Sequence, residues 1–275
     1  MARTYIITGA GSGIGAATAA LLREQGHTVV GVDLRNSDVA ADLSARETRI
    51  QGAKDALEAA GGKVDAVIAS AGLSIPKAVT AAVNYYGAVE FLEELRPALA
   101  ESEAPRAVVV SSMASLQPNY PPLVEALLDQ GEEAAMAMAE QLVQDPQTAN
   151  LVYASSKRAL SRWVRRASVT PDWAGAGIPL NAVAPGIVTT PMTADLLATP
   201  ESTKFVDAVV PMPLNYHQPP ESIANLCIWL ASEHNTHCAG QTIYCDGGSD
   251  VVFRGDDAWS WADPAVLEKF QQLMG

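Results

Sequence analysis

The stretch that most constrains this chain is Thr8-Gly9-Ala10-Gly11-Ser12-Gly13-Ile14-Gly15, which follows the apolar run Tyr5-Ile6-Ile7 and precedes a helical run from Ala16 to Glu24. Glycine lets the backbone turn sharply and approach a ligand, and a helix N-terminus offers unpaired N–H groups at the positive end of its dipole. An apolar strand that turns through glycines into a helix is therefore a cradle for a diphosphate, and it predicts a dinucleotide at the first turn of a doubly wound parallel sheet. The plainer alternative is a glycine-eased corner with no ligand. Gly9, Gly13 and Gly15 give a Gly-xxx-Gly-x-Gly spacing, while Gly11, Gly13 and Ala16 fit the relaxed form of the commoner G-x-G-x-x-G pattern. Gly9, Ser12, Gly13 and Ile14 are the candidate cofactor contacts from this turn.

At 275 residues with 48% hydrophobic content, the chain is long enough for one large core, and a single domain is expected. Its formal net charge of −13 repels nucleic acid and anionic lipid, so neither is expected as a partner. The first strand begins almost at once, leaving no room for a signal peptide, and no later run reaches the roughly 18 apolar residues of a membrane span. Cys227, Cys238 and Cys245 are odd in number with no C-x-x-C pair, which argues against a disulfide framework and fits a reducing, cytoplasmic setting. His234, His237 and Cys238 have metal-like spacing but lie in a polar turn with no clear fourth ligand, so no metal is expected.

Thr28 to Val32 reads as a second strand ending at Asp33, 18 residues past Gly15. An acidic side chain at that tip accepts hydrogen bonds from ribose hydroxyls and repels a 2′-phosphate, which favours NAD over NADP; Arg35 pulls the other way. With Asp33 goes its neighbour Leu34. Val39 to Leu43 is an abbreviated third strand that brings Asp42 and Leu43 to the sheet edge where an adenine ring must lie, and a helix follows from Ala45 to Ala60. Val64 to Ser70 is the fourth strand, and Ser70-Ala71-Gly72 at its end permits close backbone approach to a ligand. A long helix from about Ala78 to Ala100 carries Asn84 in its interior, where asparagine either faces solvent or bonds something particular. Ala107 to Val110 is a fully apolar strand ending in Ser111-Ser112, hydroxyls at the carboxyl edge where open α/β sheets place ligands. From Leu116 to Thr148 the alternation breaks: Pro118, Pro121 and Pro122 punctuate a segment that turns helical, and residues 118–149 read as an insertion.

The helix after it, Leu151 to Ala167, carries Tyr153 and Lys157 four residues apart and hence on one face. A phenol titrates near 10, and a fixed ammonium beside it stabilises the phenolate, so the pair can serve as an acid/base engine; taken alone, the spacing is common on exposed helices and reads first as a solvated pair. Thr8 to Gly15, Asn84, Ser112 and Tyr153-x-x-x-Lys157, in that order and at strand ends, together resemble the short-chain dehydrogenase/reductase family. The resemblance covers nearly the whole chain and implies a one-domain Rossmann fold of about seven parallel strands with helices on both faces. Asn181 to Thr190 looks like that family's sixth strand and nicotinamide loop, which makes Gly186, Val188 and Thr190 cofactor candidates, and Gly240 to Gly248 like its last strand. One departure is Ala69-Ser70-Ala71-Gly72 where the family has Asn-Asn-Ala-Gly.

The resemblance implies that Tyr153 exchanges a proton with the substrate oxygen and that Ser112 orients it. Lys157 would lower the Tyr153 pKa and hold the nicotinamide ribose, and Asn84 would anchor a water in the proton relay. Gly31 to Arg35, Val39 to Leu43 and the inserted Gly131-Glu132-Glu133-Ala134 further resemble the branch of bacterial NAD-dependent 3α-hydroxysteroid dehydrogenase/carbonyl reductases, relatives of cyclic terpene alcohol dehydrogenases. Residues 187–215 are the expected substrate lid, with Met192, Leu196, Leu197, Phe205, Val209, Val210, Met212 and Leu214 suiting a bulky apolar alcohol or ketone. A tail, 249–275, carries Phe253, Trp259, Trp261, Leu267 and Phe270 for packing on the parent domain or a neighbouring subunit. A homodimer or homotetramer is implied by the family. The alternatives are a broad carbonyl reductase for xenobiotic ketones and a non-catalytic NAD-sensing protein of the same fold.

Overall fold

The computed structural model describes residues 2–274 of the chain. Its sheet has seven parallel strands: β1 (Thr4–Thr8), β2 (Thr28–Asp33), β3 (Val39–Ala40), β4 (Ala66–Ala69), β5 (Arg106–Val110), β6 (Leu180–Pro185) and β7 (Thr242–Cys245). The spatial order is β3-β2-β1-β4-β5-β6-β7, so the winding direction reverses between β1 and β4 and opens a crevice at their carboxyl ends. Period-two alternation splits the strand side chains between two cores: Ile6 packs with Val30, Val32 and Val67 on one face, while Tyr5 and Ile7 pack with Val29, Ile68 and Val108 on the other. Helices α1 (Gly13–Glu24) and α9 (Pro220–Ala231) cover the second face. The first lies under α2 (Arg46–Ala59), α4 (Gly87–Ala100) and α7 (Leu151–Ala167), the last with the expected bounds.

Three expected elements differ. The third strand keeps only Val39–Ala40, and the fourth is trimmed to Ala66–Ala69. The long helix is not regular: a short α3 (Val79–Ala81) passes through a π-helical turn, Ala82–Tyr86, before α4 begins. A π turn bulges one residue out of register and is frequent at functional sites, and this one contains Asn84. Pro97 is accommodated inside α4.

The segment between β5 and α7 holds a 3₁₀ turn (Met113–Leu116), α5 (Pro121–Glu125), a second π turn (Ala126–Gln130) and α6 (Glu132–Leu142). Leu123, Val124, Leu127, Ala135 and Ala139 sink into the first core, so the insertion belongs to the domain body. Ion pairs fasten its edges. Arg162 meets Glu125, Arg166 meets Asp129 at 2.8 Å, and the fully buried Arg49 of α2 pairs with Glu90 of α4 at 3.1 Å and with Glu132 at the start of α6.

Between β6 and α9 lie a 3₁₀ turn (Pro191–Thr193) and α8 (Pro200–Val209), with Met192, Leu196, Phe205, Val209 and Leu214 exposed and Val206 buried. Two contacts hold α8: Gln117 Nε2 donates to the Val209 carbonyl at 2.9 Å, and His217 meets Asp207 at 2.7 Å. The tail forms α10 (Ser249–Arg254), a 3₁₀ turn (Ser260–Ala262) and α11 (Asp263–Met274). Phe253, Trp259, Val266, Leu267 and Phe270 are exposed; the Trp261 side chain lies outside the described residues. Among the described residues no helix is long and apolar enough to cross a membrane.

Candidate functional site

A cleft of about 490 Å³ opens at the carboxyl ends of β1 and β4, where the strand order reverses. Gly9, Ser12, Gly13, Ile14, Asp33, Leu34, Asp42, Leu43, Ser70, Ala71, Gly72 and Thr190 line it, which gathers most of the expected cofactor contacts in one place. The glycines there have steric reasons. A Cβ on Gly9, whose φ is +73°, would sit 2.8 Å from the Ala71 nitrogen, and one on Gly15 would sit 2.2 Å from the Gly9 carbonyl oxygen. The turn is folded so tightly against β4 and the start of α1 that a side chain at either position would close it.

Thr8 completes the cradle. Its Oγ1 accepts from the Ser70 and Ala71 N–H groups at 3.1 Å each, tying the end of β1 to the loop after β4. Asp33 stands at the tip of β2 with its carboxylate accepting from the N–H groups of Gly11 at 3.0 Å and Leu34 at 2.7 Å. That fixed anion at the cleft wall is where a ribose would reach, and a 2′-phosphate would meet it charge to charge. Gly15, from the glycine turn, and Met192, from the expected lid, also line the cleft, as do Ala41, Ser44, Leu73, Val79, Val83 and Pro191, which sequence reasoning did not single out; most of these are small or apolar residues beside expected ones, with no chemical signature of their own.

Four expected cofactor contacts, Tyr153, Lys157, Gly186 and Val188, do not line the cleft. Gly186 packs against Asp246, where an added Cβ would come within 3.0 Å of the backbone, and Val188 is buried with its carbonyl accepting from Thr193 Oγ1 at 2.6 Å.

Next to the cleft, α7 and the end of β5 assemble the polar group. Ser112 caps the 3₁₀ turn Met113–Leu116, its Oγ accepting from the Ala114 N–H at 3.1 Å, and its hydroxyl reaches the half-buried Tyr153. Lys157 is buried, donates from Nζ to the Val110 carbonyl at 2.9 Å, and stands 6.0 Å from the Tyr153 ring centroid. A Cβ on Gly72 would lie 3.5 Å from Lys157 Nζ and 3.1 Å from Asn84 Oδ1, so both side chains back directly onto the cleft wall.

The electrostatics are not those expected from the helix spacing. Burial pushes the Tyr153 phenol above its ordinary value of 10, and the opposing influence comes from the Ser112 hydrogen bond rather than from Lys157. Burial also lowers the Lys157 ammonium to about 8. The ammonium is turned toward a strand carbonyl, so its proximity to the phenol in sequence is not a direct contact. The Asn84 side chain is bonded within the protein: its Oδ1 accepts from the Leu73 N–H at 2.7 Å, and its Nδ2 donates to the Leu73 carbonyl at 3.0 Å and to Ser156 Oγ at 3.1 Å. Ser156 in turn donates to the Tyr153 carbonyl at 2.7 Å. Asn84 thus joins the loop after β4 to the second turn of α7, a role that Ser156 shares and that only its place inside the Tyr–Lys spacing could have suggested.

A short chain dehydrogenase family model matches residues 3–121, and a second model, described as enoyl-(acyl carrier protein) reductase, matches residues 123–250. The chain is 38% identical over 255 residues to a 3-alpha-hydroxysteroid dehydrogenase/carbonyl reductase of Comamonas testosteroni, covering 90% of this chain and 97% of that one. A 3beta-hydroxysteroid dehydrogenase of Eggerthella lenta is 27% identical over 90% of this chain and 93% of its own. Among solved structures, the 3-alpha-hydroxysteroid dehydrogenase of a Pseudomonas species complexed with NADH superposes with a TM-score of 0.83 at 36% identity, covering 92% of this chain and 99% of that one.

Proposed function

The chain belongs to the short-chain dehydrogenase/reductase family and is an oxidoreductase of that family, and from this premise we propose that it interconverts a bulky apolar secondary alcohol and its ketone with NAD. The cleft supports the cofactor: it is glycine-walled at the start of α1, runs from Asp33 to Gly72, behind which Lys157 stands, and carries the Asp33 carboxylate where a ribose would bind. NAD supplies hydride acceptance and donation at the nicotinamide. The chain's own residues bind, orient and move the proton.

In this reading Ser112 donates its hydroxyl proton to a hydrogen bond with the substrate oxygen, and Tyr153 takes the alcohol proton during oxidation or gives its own during reduction. Lys157, held by the Val110 carbonyl behind Gly72, would hold the nicotinamide ribose. Asn84 and Ser156 fix the register between that loop and Tyr153. The single observation that carries the proposal is the hydrogen bond of the Ser112 hydroxyl to the Tyr153 phenol, on the helix whose Lys157 backs onto the glycine-walled cleft at Gly72.

The substrate class rests on two supports. Relatives at 38% and 27% identity and a solved structure at 36% are hydroxysteroid dehydrogenases, and the segment that leaves the cleft wall at Thr190–Met192 exposes Met192, Leu196, Phe205 and Val209, apolar surface that a rigid alicyclic alcohol would cover. A cyclic terpene alcohol meets the same requirement. Three free thiols, Cys227, Cys238 and Cys245, support a reducing cytoplasm, and a homo-oligomer is the assembly we expect.

The test is a panel of 3α-hydroxysteroids, cyclic terpenols, polyols and acyl thioesters assayed with NAD and with NADP. Turnover of the alicyclic alcohols with NAD, rising toward alkaline pH in oxidation because the Tyr153 phenol sits above 10, is the expected outcome. Turnover confined to polyols or thioesters, or a preference for NADP, would overturn the reading.

A further inference from the structure

Ser112 is presented by a 3₁₀ turn of four residues, Met113–Leu116. Such a turn is poorly stabilised by its own hydrogen bonds, among them the Ser115 N–H to the Ser112 carbonyl at 3.0 Å and the Gln117 N–H to the Ala114 carbonyl at 3.1 Å. A turn that must hold a hydroxyl in place needs outside support, and Ser115 receives it. Its hydroxyl, almost fully buried, meets the Tyr244 hydroxyl of β7 at 3.0 Å, and its carbonyl accepts from Arg158 Nη1 at 3.0 Å.

Tyr244 is itself braced. The Arg254 guanidinium of α10 lies over its ring, 5.2 Å from the centroid, and is held there by Asp250, whose own N–H is donated to the buried Asp246 carboxylate at 2.7 Å. The support chain thus runs from the last strand and the first tail helix, through one phenol, to the turn that carries Ser112. We propose that Tyr244 is a positioning residue for the reaction: its hydroxyl fixes Ser115 and so sets where the Ser112 hydroxyl stands relative to Tyr153. This rests on the reading of Ser112 and Tyr153 given above.

The charged and titratable groups around this arrangement are few. Arg158, Arg254 and Asp250 face Tyr244, while Ser112 and, at longer range, Lys157 face Tyr153. The Ser112 hydrogen bond works against burial to hold the Tyr153 phenol down, so a displaced Ser112 lets that phenol rise. A mere packing defect would lower activity without moving a titration.

The experiment compares Tyr244→Phe, Ser115→Ala and the double variant with the full-length enzyme, measuring alcohol oxidation across pH, KM for NAD and NADH binding. Phenylalanine keeps the ring under Arg254 and removes only the hydroxyl. The expected result is a fall in kcat of about tenfold in each single variant, an unchanged KM for NAD, and a shift of the pH limb of kcat/KM, which reports the free enzyme, to higher pH. The double variant should be no worse than either single one, because both delete the same hydrogen bond. Wild-type activity in both single variants, losses that multiply in the double, or a fall in kcat with an unmoved pH limb would each overturn the proposal. Should Tyr244→Phe not fold, Ser115→Ala alone decides by the same criteria. Failure of the underlying reading looks different: Tyr153→Phe would then retain turnover whatever Tyr244 does.

Discussion

The residue that departs most from its ordinary chemistry is Lys157, a primary amine buried between β5 and α7 with a strand carbonyl as its partner. Its pKa of about 8 in the folded chain, against 10.5 when exposed, has a thermodynamic consequence. Below pH 8 the amine is protonated in both states, and the fold bears the full cost of a buried charge. Between pH 8 and 10.5 the unfolded chain binds the proton that the folded chain has released, so Lys157's penalty falls as pH rises. A shift of this size corresponds to about 3 kcal/mol at most. Urea denaturation of Lys157→Met should therefore show that wild type gains on the variant as pH rises from 8 to 10. A stability difference that stays constant with pH would show that the amine is not buried as a charge. Tyr153 works in the opposite sense, because a raised phenol pKa makes stability fall once pH passes 10 and the unfolded chain ionises first. Comparison with the variant removes that shared background.

Arg49 is the residue on which the insertion's attachment turns, and the effect belongs to the elements it joins. Its side chain is wholly buried where α2, α4 and α6 meet, between the carboxylates of Glu90 and Glu132 and 5.6 Å from the Tyr86 ring centroid. Replacing it by methionine leaves two carboxylates facing each other with no cation. Because Glu90 and Glu132 keep part of their surface in water, the loss should be about 2–4 kcal/mol, below the full penalty of a broken buried pair. Urea denaturation of Arg49→Met measures it, and a change under about 0.5 kcal/mol would mean that apolar packing alone holds the insertion. The insertion was legible in sequence through its prolines and broken alternation, whereas this clamp was not, since Arg49 and Glu132 are 83 residues apart. The same limit hid both π turns: Ala82–Tyr86 reads as ordinary helix, and its bulge answers to the Leu73 and Ser156 contacts of Asn84. Local pattern fixes α7 to the residue, because Leu151–Ala167 has a long apolar stripe that decides its bounds without outside help.

At the scale of the whole molecule, the parallel sheet, the crevice at the β1–β4 switch and the cofactor wall were all foreseeable from residues within a few positions of one another. Glycines that cannot carry a side chain and an aspartate at a strand tip announce themselves locally. What the sequence could not announce was the division of labour around the phenol, because the partners converge from β5, β7, α7 and the tail. The tail is the part least tied to the rest, with the described side chains of α11 from Asp263 to Gln272 all exposed. The seven strands and their two cores, in this account, bring one serine hydroxyl to one tyrosine hydroxyl on the helix that backs onto the cleft at Gly72. The most direct test is to compare wild type with Tyr153→Phe, following NADH formation from a 3α-hydroxysteroid in a single turnover and NADH binding in parallel. Binding within about twofold of wild type with hydride transfer slowed at least about 100-fold is the predicted result. Transfer at the wild-type rate in the variant would contradict it.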